Sequence, residues 1–261
     1  MTGAARPRVV VVGRGRAGAA SARRVALAGY DAVRFDPWGG RVEDLADRAR
    51  SADGPRIVDD PARCAGFEVA LLAVPTGPDR GPVRNALDTA VALLGPYMRP
   101  GVLVVLESPA APGTTEQVVL PTLELVSGLR AGADFGLGYS VEISGDPPRL
   151  VAGVDAASRE RVAGFYRSIG LGSLGVSGPR VAELVSLLQR DGREVDATVV
   201  DQLAVLAADN GVLIRTLVRA LTGGGARAVD LMHPDEPPPA GRPVRGIVRW
   251  VASPRRAAAC H

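Results

Sequence analysis

Gly13, Gly15 and Gly18 form the pattern G-x-G-x-x-G, with Arg16 and Ala17 between the second and third glycine. The first glycine of such a pattern permits a tight turn, and the second lets backbone approach a pyrophosphate. The third lets the next helix pack close to the preceding strand, so that its free N–H groups point at the phosphates. Asp36 stands eighteen residues beyond Gly18, where a carboxylate accepts both hydroxyls of an adenosine ribose and repels a 2′-phosphate. The spacing therefore points to NAD rather than NADP. Arg34 and Arg41 lie nearby and weaken that preference without reversing it.

These residues need particular elements to hold them. Val9–Val12 is a β-branched run suited to a strand buried on both faces. The alanine-rich stretch 19–28 reads as a helix that Gly29 ends, and 31–35 reads as a second strand delivering Asp36. Further strands are expected at 68–74, 101–107 and 135–140, and helices at 41–50, 85–94 and 156–169. A short helix opens at Asp59–Pro61. Thr114 and Gln117 have capping-box spacing for a helix start. Alternating strands and helices predict an α/β fold, a Rossmann-type doubly wound parallel sheet. Val74, Pro75 and Thr76, with Glu107 and Ser108, follow two of the strands at the carboxyl end of the sheet, where ligands bind in such folds.

The pattern changes at Ser177–Pro179. Apolar spacing from Val181 to about Asp209 predicts one long helix, and 212–221 a shorter one. A helix of about 30 residues extends about 45 Å, longer than one small domain needs, and is best used as a dimer spine. Three regions are thus expected: 1–176 as the NAD-binding domain, 177–225 as a helical dimerisation region, and 226–261 as a flexible Pro/Arg-rich tail.

Composition excludes several chemistries. All 31 basic residues are arginine, so there is no Schiff-base lysine. The two histidines, His233 and His261, lie near the end, and the cysteines, Cys64 and Cys260, are far apart. No metal site, disulfide framework or Ser-His-Asp triad is expected. Aromatic residues make up 4% and no basic stripe occurs, which argues against a nucleic-acid surface. No apolar run is long enough to span a membrane and no apolar leader core is present, so a cytoplasmic protein is expected.

The segments GRGRAGAASA, EVALLAVPTGP, GVLVVLESPAAPGTTEQVVLP, SGLRAGADFGLGYSVE and GPRVAELVSLL occur in this order. Together they resemble the UDP-glucose/GDP-mannose dehydrogenase family. The resemblance implies a Rossmann domain for NAD, then a central helical domain that dimerises. Members add a second Rossmann-like domain for the nucleotide-sugar, which this sequence is expected to lack. The family oxidises a primary alcohol to an acid in two NAD-dependent steps, through a thiohemiacetal on the cysteine of a GGHC motif absent here.

The family's threonine falls at Pro109, its lysine at Ser186 and its asparagine at Arg190, while Glu142 in YSVE matches the family glutamate. One expectation is therefore an oxidoreductase that makes a single hydride transfer. Glu142 would be base or water-orienting carboxylate, Arg190 the substrate anchor, and Ser186 or Ser108 a polar contact. A non-catalytic, dimeric NAD-binding protein is the competing expectation. A separate chain supplying the sugar domain and a tightly held NAD acting as internal redox relay are two more. The substrate would be a small molecule, a nucleotide-sugar among the candidates.

Overall fold

The computed structural model describes residues 6–13, 15–38, 55–74, 84–142, 149–190 and 208. The valine run lies in β1 (Arg8–Val12). Val10 and Val12 pack into one apolar layer, Val9 and Val11 into the other. An unbroken β-branched run suits a strand covered on both faces. After the glycine turn, α1 (Arg16–Leu27) buries Gly18, Ala22 and Val25 on its inner side. The chain leaves it through Gly29, whose φ of +91° is in the left-handed region that commonly ends helices. β2 (Asp31–Phe35) returns parallel to β1.

The remaining elements follow in order. β3 (Arg56–Val58) precedes a 3-10 turn, Pro61–Cys64, capped where the Asp60 carboxylate accepts from Ala62 N at 2.9 Å. Then come β4 (Val69–Leu72), α2 (Arg84–Leu94) and β5 (Leu103–Leu106). A π-helical turn, Thr115–Val119, runs into α3 (Leu120–Ser127). β6 (Gly136–Glu142), β7 (Arg149–Gly153), α4 (Ala156–Ser168), β8 (Ser173–Gly175) and α5 (Pro179–Arg190) complete the described chain. The strands form one sheet in the order β3-β2-β1-β4-β5-β6-β7-β8. Strand order reverses between β1 and β4, the place where a doubly wound sheet opens a crevice at its carboxyl end.

The sheet is the expected doubly wound, mostly parallel one, with a single antiparallel pairing that the sequence reading did not anticipate. β7 runs antiparallel to β6, and β8 is parallel to β7. Only six residues separate Glu142 from Arg149. A parallel return needs a crossover of a dozen or more residues, so a link this short forces the strand to turn back. β3 and β8 carry no sequence signal, because at three residues each they are too short to show alternation.

α1 and α4 cover one face of the sheet, and α2, α3 and α5 the other. α4 sits unusually close to its strands. A methyl group on Gly138 would overlap the Ala152 carbonyl and come within 2.6 Å of Val162 Cγ2 in α4. The helix starts where Asp155 accepts from Ser158 N at 2.7 Å. α5, expected to open a separate helical region, buries Val181, Leu184 and Val185 in the same core as β6 and β7. The expected helices at 41–50 and 212–221, the continuation of α5 toward 209 and the tail 226–261 lie outside the described residues.

Helix entry at Thr114 also differs from the expected capping box. Thr114 is already helical and its side chain caps nothing; its hydroxyl donates instead to the Ala111 carbonyl at 2.6 Å. The cap comes from Glu183 on α5, fully buried, which accepts from Gly113 N (2.5 Å), Thr115 N (2.8 Å) and Thr115 Oγ1 (2.7 Å). One carboxylate thereby ties α5 to the loop after β5. Burial raises the Glu183 pKa above its ordinary 4.5, against the lowering effect of these hydrogen bonds. A raised folded pKa means that this group's contribution is fully present below about pH 4.5 and is lost as pH rises through the folded value. Replacing Glu183 by Gln turns an NH2 toward backbone donors and is expected to cost about 1–3 kcal/mol at neutral pH. Urea unfolding across pH will check both the loss and the absence of this group's pH slope in the variant.

Candidate functional site

The glycine turn is built by backbone crowding. Gly13 has φ +131°, and a methyl there would overlap the carbonyl oxygen of Ala73 at the end of β4. A methyl on Gly18 would lie 2.7 Å from the Gly13 carbonyl oxygen. Gly15 is different: its φ is −70° and nothing lies within 4 Å of a Cβ built on it. It occupies the N-cap of α1 with no side chain capping the helix. The first N–H groups of α1 have no partner within the helix and open onto this space. Two glycines thus pack and one leaves room, as a pyrophosphate on the helix N-terminus requires. The residues present fit a dinucleotide.

Arg16 and Ala17 are exposed beside this opening. Asp36 follows β2 at the same edge, buried, and its Oδ1 accepts from Trp38 N at 3.3 Å. Arg34, one pleat below, donates from Nε to the Gly13 carbonyl at 3.3 Å and so braces the turn from inside. Val74 is buried after β4, and the Ser108 hydroxyl donates to the Leu72 carbonyl at 3.3 Å, linking the ends of β5 and β4. Pro75 and Thr76 lie outside the described residues.

Glu107 faces the α1/α4 side of the sheet. Its Oε2 accepts from Ser21 of α1 (2.6 Å), and its Oε1 from the Tyr166 hydroxyl of α4 (2.6 Å). Arg149 completes the cluster. Its Nε donates to Ser140 Oγ (2.9 Å), its Nη1 to Glu142 Oε1 (2.9 Å), and its Nη2 stands 3.5 Å from Glu107 Oε1. The guanidinium also lies 4.8 Å from the centre of the Tyr166 ring. Burial, then the Glu107 carboxylate, pushes the Tyr166 phenol well up, so it stays a neutral donor. For Arg149 burial acts against the charge, but Tyr166 and the two carboxylates outweigh it and raise the pKa. Glu142 sits at the rim with its side chain 65% exposed, held by Arg149 and, at 3.6 Å, by Arg24 of α1.

Ser186 lies on the opposite face. It is buried on α5 beside Tyr139 of β6, and neither hydroxyl meets hydrogen-bond geometry with a described atom. Burial pushes the Tyr139 phenol well up. The described contacts do not bring Ser186 to Glu142, because the sheet stands between them. The backbone of Arg190 closes α5, and its side chain lies outside what is described. Cys64 is buried in the core, and desolvation, with the nearby Asp60 carboxylate, pushes its thiol up to about 11. That is a packing thiol, not a nucleophile. Among the described residues, no group of three or more His, Cys, Asp or Glu could hold a metal, and no helix is long and apolar enough to cross a membrane.

No protein-family model matches the sequence. Individual relatives do. The chain is 27% identical over 232 residues to the UDP-N-acetyl-D-mannosamine dehydrogenase of Pyrococcus horikoshii, covering 78% of this chain and 55% of that protein. It is 28% identical to the UDP-N-acetyl-D-glucosamine 6-dehydrogenase of Pseudomonas aeruginosa, over 58% of this chain and 39% of that one. The chain is thus similar to proteins named as nucleotide-sugar dehydrogenases. It spans about half or less of the length of these relatives. Solved structures agree on the fold: the Pyrococcus horikoshii UDP-D-ManNAc dehydrogenase superposes with a TM-score of 0.60 at 23% identity, over 84% of this chain and 58% of that one. An NDP-N-acetyl-D-galactosaminuronic acid dehydrogenase from Methanosarcina mazei superposes with 0.61 at 22% identity, over 94% of this chain and 66% of that one.

Sequence reading missed the residues that hold the others: Ser21, Arg149, Tyr166 and Glu183. Arg149 had a usable signal. A charge next to the apolar run 150–153 shares a strand face with Val151, so it must be buried and needs anionic partners. The two kinds of glycine should separate in stability. Gly13→Ala meets both positive φ and the Ala73 carbonyl and is expected to cost more than about 2 kcal/mol. Gly15→Ala meets neither and should stay within about 1 kcal/mol of the parent, the usual range for an N-cap change. Thermal or chemical unfolding of the two variants side by side checks the contrast.

Proposed function

We propose that this protein binds NAD and is an oxidoreductase acting on a CH–OH group by a single hydride transfer. Its substrate would belong to the small-molecule class that includes nucleotide-sugars. The observation that carries the reading is the open cradle at Gly15, with the uncapped start of α1 on one side and Asp36 on the other. Gly13, Gly15 and Gly18 with the N–H groups of Arg16 and Ala17 would hold the pyrophosphate, and Asp36 the adenosine ribose. Val74, Pro75, Thr76 and Ser108 would border the nicotinamide half. Bound there, NAD supplies a hydride acceptor.

The chain's own residues bind, orient and move the proton. Glu142 is a carboxylate at the carboxyl end of β6 with an exposed side chain, and it would take the alcohol proton or orient a water. Arg190 would anchor the substrate, and Ser186, buried on the α5 face, would be at most a polar contact from that layer. A guanidinium does not exchange protons near neutral pH, so Arg190 binds rather than titrates. The family's two-step oxidation through a cysteine is not proposed: Cys64 is buried, and Cys260 lacks the glycine context of that motif. A homodimer through the helix near 181–209, a cytoplasmic setting and a second chain carrying a sugar-binding domain complete the proposal.

One observation favours a second reading, a non-catalytic NAD-binding protein. Glu142 is already ion-paired with two arginines, and Ser186 is sealed on the other face. Calorimetric titration of folded, nucleotide-free protein with NAD and NADH tests what both readings share. Binding should weaken about 10- to 100-fold in Asp36→Ala, which removes a carboxylate accepting two hydrogen bonds. No binding by the parent protein would sink both. A change in reduced-nicotinamide absorbance with alcohols or nucleotide-sugars, lost in Glu142→Gln, separates the enzyme from the binder.

A further inference from the structure

The structure assigns Arg149 and Glu107 a positioning role: they lock the dinucleotide helix α1 onto the sheet and onto α4, and hold Glu142 from the same point. Glu107 does not present its carboxylate to the crevice. Both oxygens are taken, one by Ser21 of α1 and the other by Tyr166 of α4, and its side chain is 5% exposed. Arg149 is the buried cation of the cluster, 8% exposed, with three nitrogens directed at three residues. A planar guanidinium fork can serve Ser140, Glu142 and Glu107 together, whereas an ammonium is a point charge without that shape.

The arrangement has a mechanical consequence. Ser21 stands in the second turn of α1, and Arg24 of the same helix reaches Glu142. α1 therefore touches both carboxylates that Arg149 holds. Moving α1 outward would strip Ser21 from Glu107 and Arg24 from Glu142 at once, leaving the buried Glu107 with less compensation for its charge. The cluster charge-balances two carboxylates against two guanidinium groups, and Arg149 is the one that meets both carboxylates, so its loss is felt at Glu107 and Glu142 alike. Apolar packing alone, through Ala22 and Val25, would let α1 slide along the sheet with little penalty, because such contacts are non-directional. The polar cluster gives that helix one register, and with it fixes where its N-terminus and Glu142 stand relative to each other. The mechanical part stands on geometry alone; its effect on cofactor affinity rests on the NAD reading of α1.

Hydrogen exchange read by mass spectrometry, with NADH titration of the same samples, tests it on the full chain. Ser21→Ala and Tyr166→Phe each remove a single hydroxyl and keep the fold if Arg149→Met does not. The amides of α1 should exchange about tenfold faster in Ser21→Ala and in Arg149→Met, the opening expected when a hydrogen bond to a buried carboxylate is lost. Arg149→Lys should recover part of that protection. Adding Ser21→Ala to Arg149→Met should have little further effect, because both act through Glu107; independent structural losses would add. NADH should bind about three- to tenfold more weakly in the variants that loosen α1. Unchanged α1 exchange in Ser21→Ala, Tyr166→Phe and Arg149→Met, or full additivity of the pair, overturns the assignment. Faster α1 exchange in a protein that binds no NADH supports the positioning role and removes the cofactor reading instead.

Discussion

A backbone contact with no room for a side chain holds the carboxyl end of the sheet together. The turn at Gly13 presses against the Ala73 carbonyl of β4, and α1 at Gly18 presses back on the Gly13 carbonyl. Hard-sphere repulsion makes this a condition, not a preference: a single added carbon forces backbone to move. Because the contact joins β1, β4 and α1 at one place, it sets where the uncapped helix start opens and how far Asp36 stands from it. It also lets α1 lie low enough on the sheet for Ser21 to reach Glu107.

The sheet then sorts polar residues by face. Glu107, Ser140, Glu142 and Arg149 project to the α1/α4 side, while Tyr139 and, from the helix above it, Ser186 and Glu183 occupy the α5 side. Alternation along β6 alone decides this, since Tyr139 and Ser140 are neighbours pointing opposite ways. Taking a charge out of water costs several kcal/mol per ion unless paired and hydrogen-bonded. Both faces meet that requirement differently. On the α1/α4 side, carboxylates and guanidinium groups balance; on the α5 side, Glu183 is held by two backbone N–H groups and one hydroxyl. The first solution ties helices to each other through the sheet, and the second ties a helix to a loop.

Much of this was legible beforehand. Val9–Val12, the three glycines, Gly29 and Asp36 carry local constraints, of burial on two faces, positive φ and close approach, that act within a few residues and need no distant partner. The order of strands and helices followed from periodicity. The turn-back of β7 was also readable, from a link too short for a crossover, but the apolar run 150–154 hid it, since such a run looks the same in either direction. β3 and β8 were beyond reach because three residues show no period.

What the sequence determined by itself was therefore the part set by short-range sterics and covalent spacing: a dinucleotide-type turn, the strands beside it and the absence of lysine chemistry. Only the tertiary structure decided which charged residues meet. Glu107 read as a ligand-facing residue of a strand end, and Arg149 was given no role, yet each is buried against the other across 42 positions of chain. Pairings at that separation depend on how strands align side by side and on which face each residue takes. That is a property of the assembled sheet, because the energy of a buried charge is set by all of its neighbours together and not by its place in the chain.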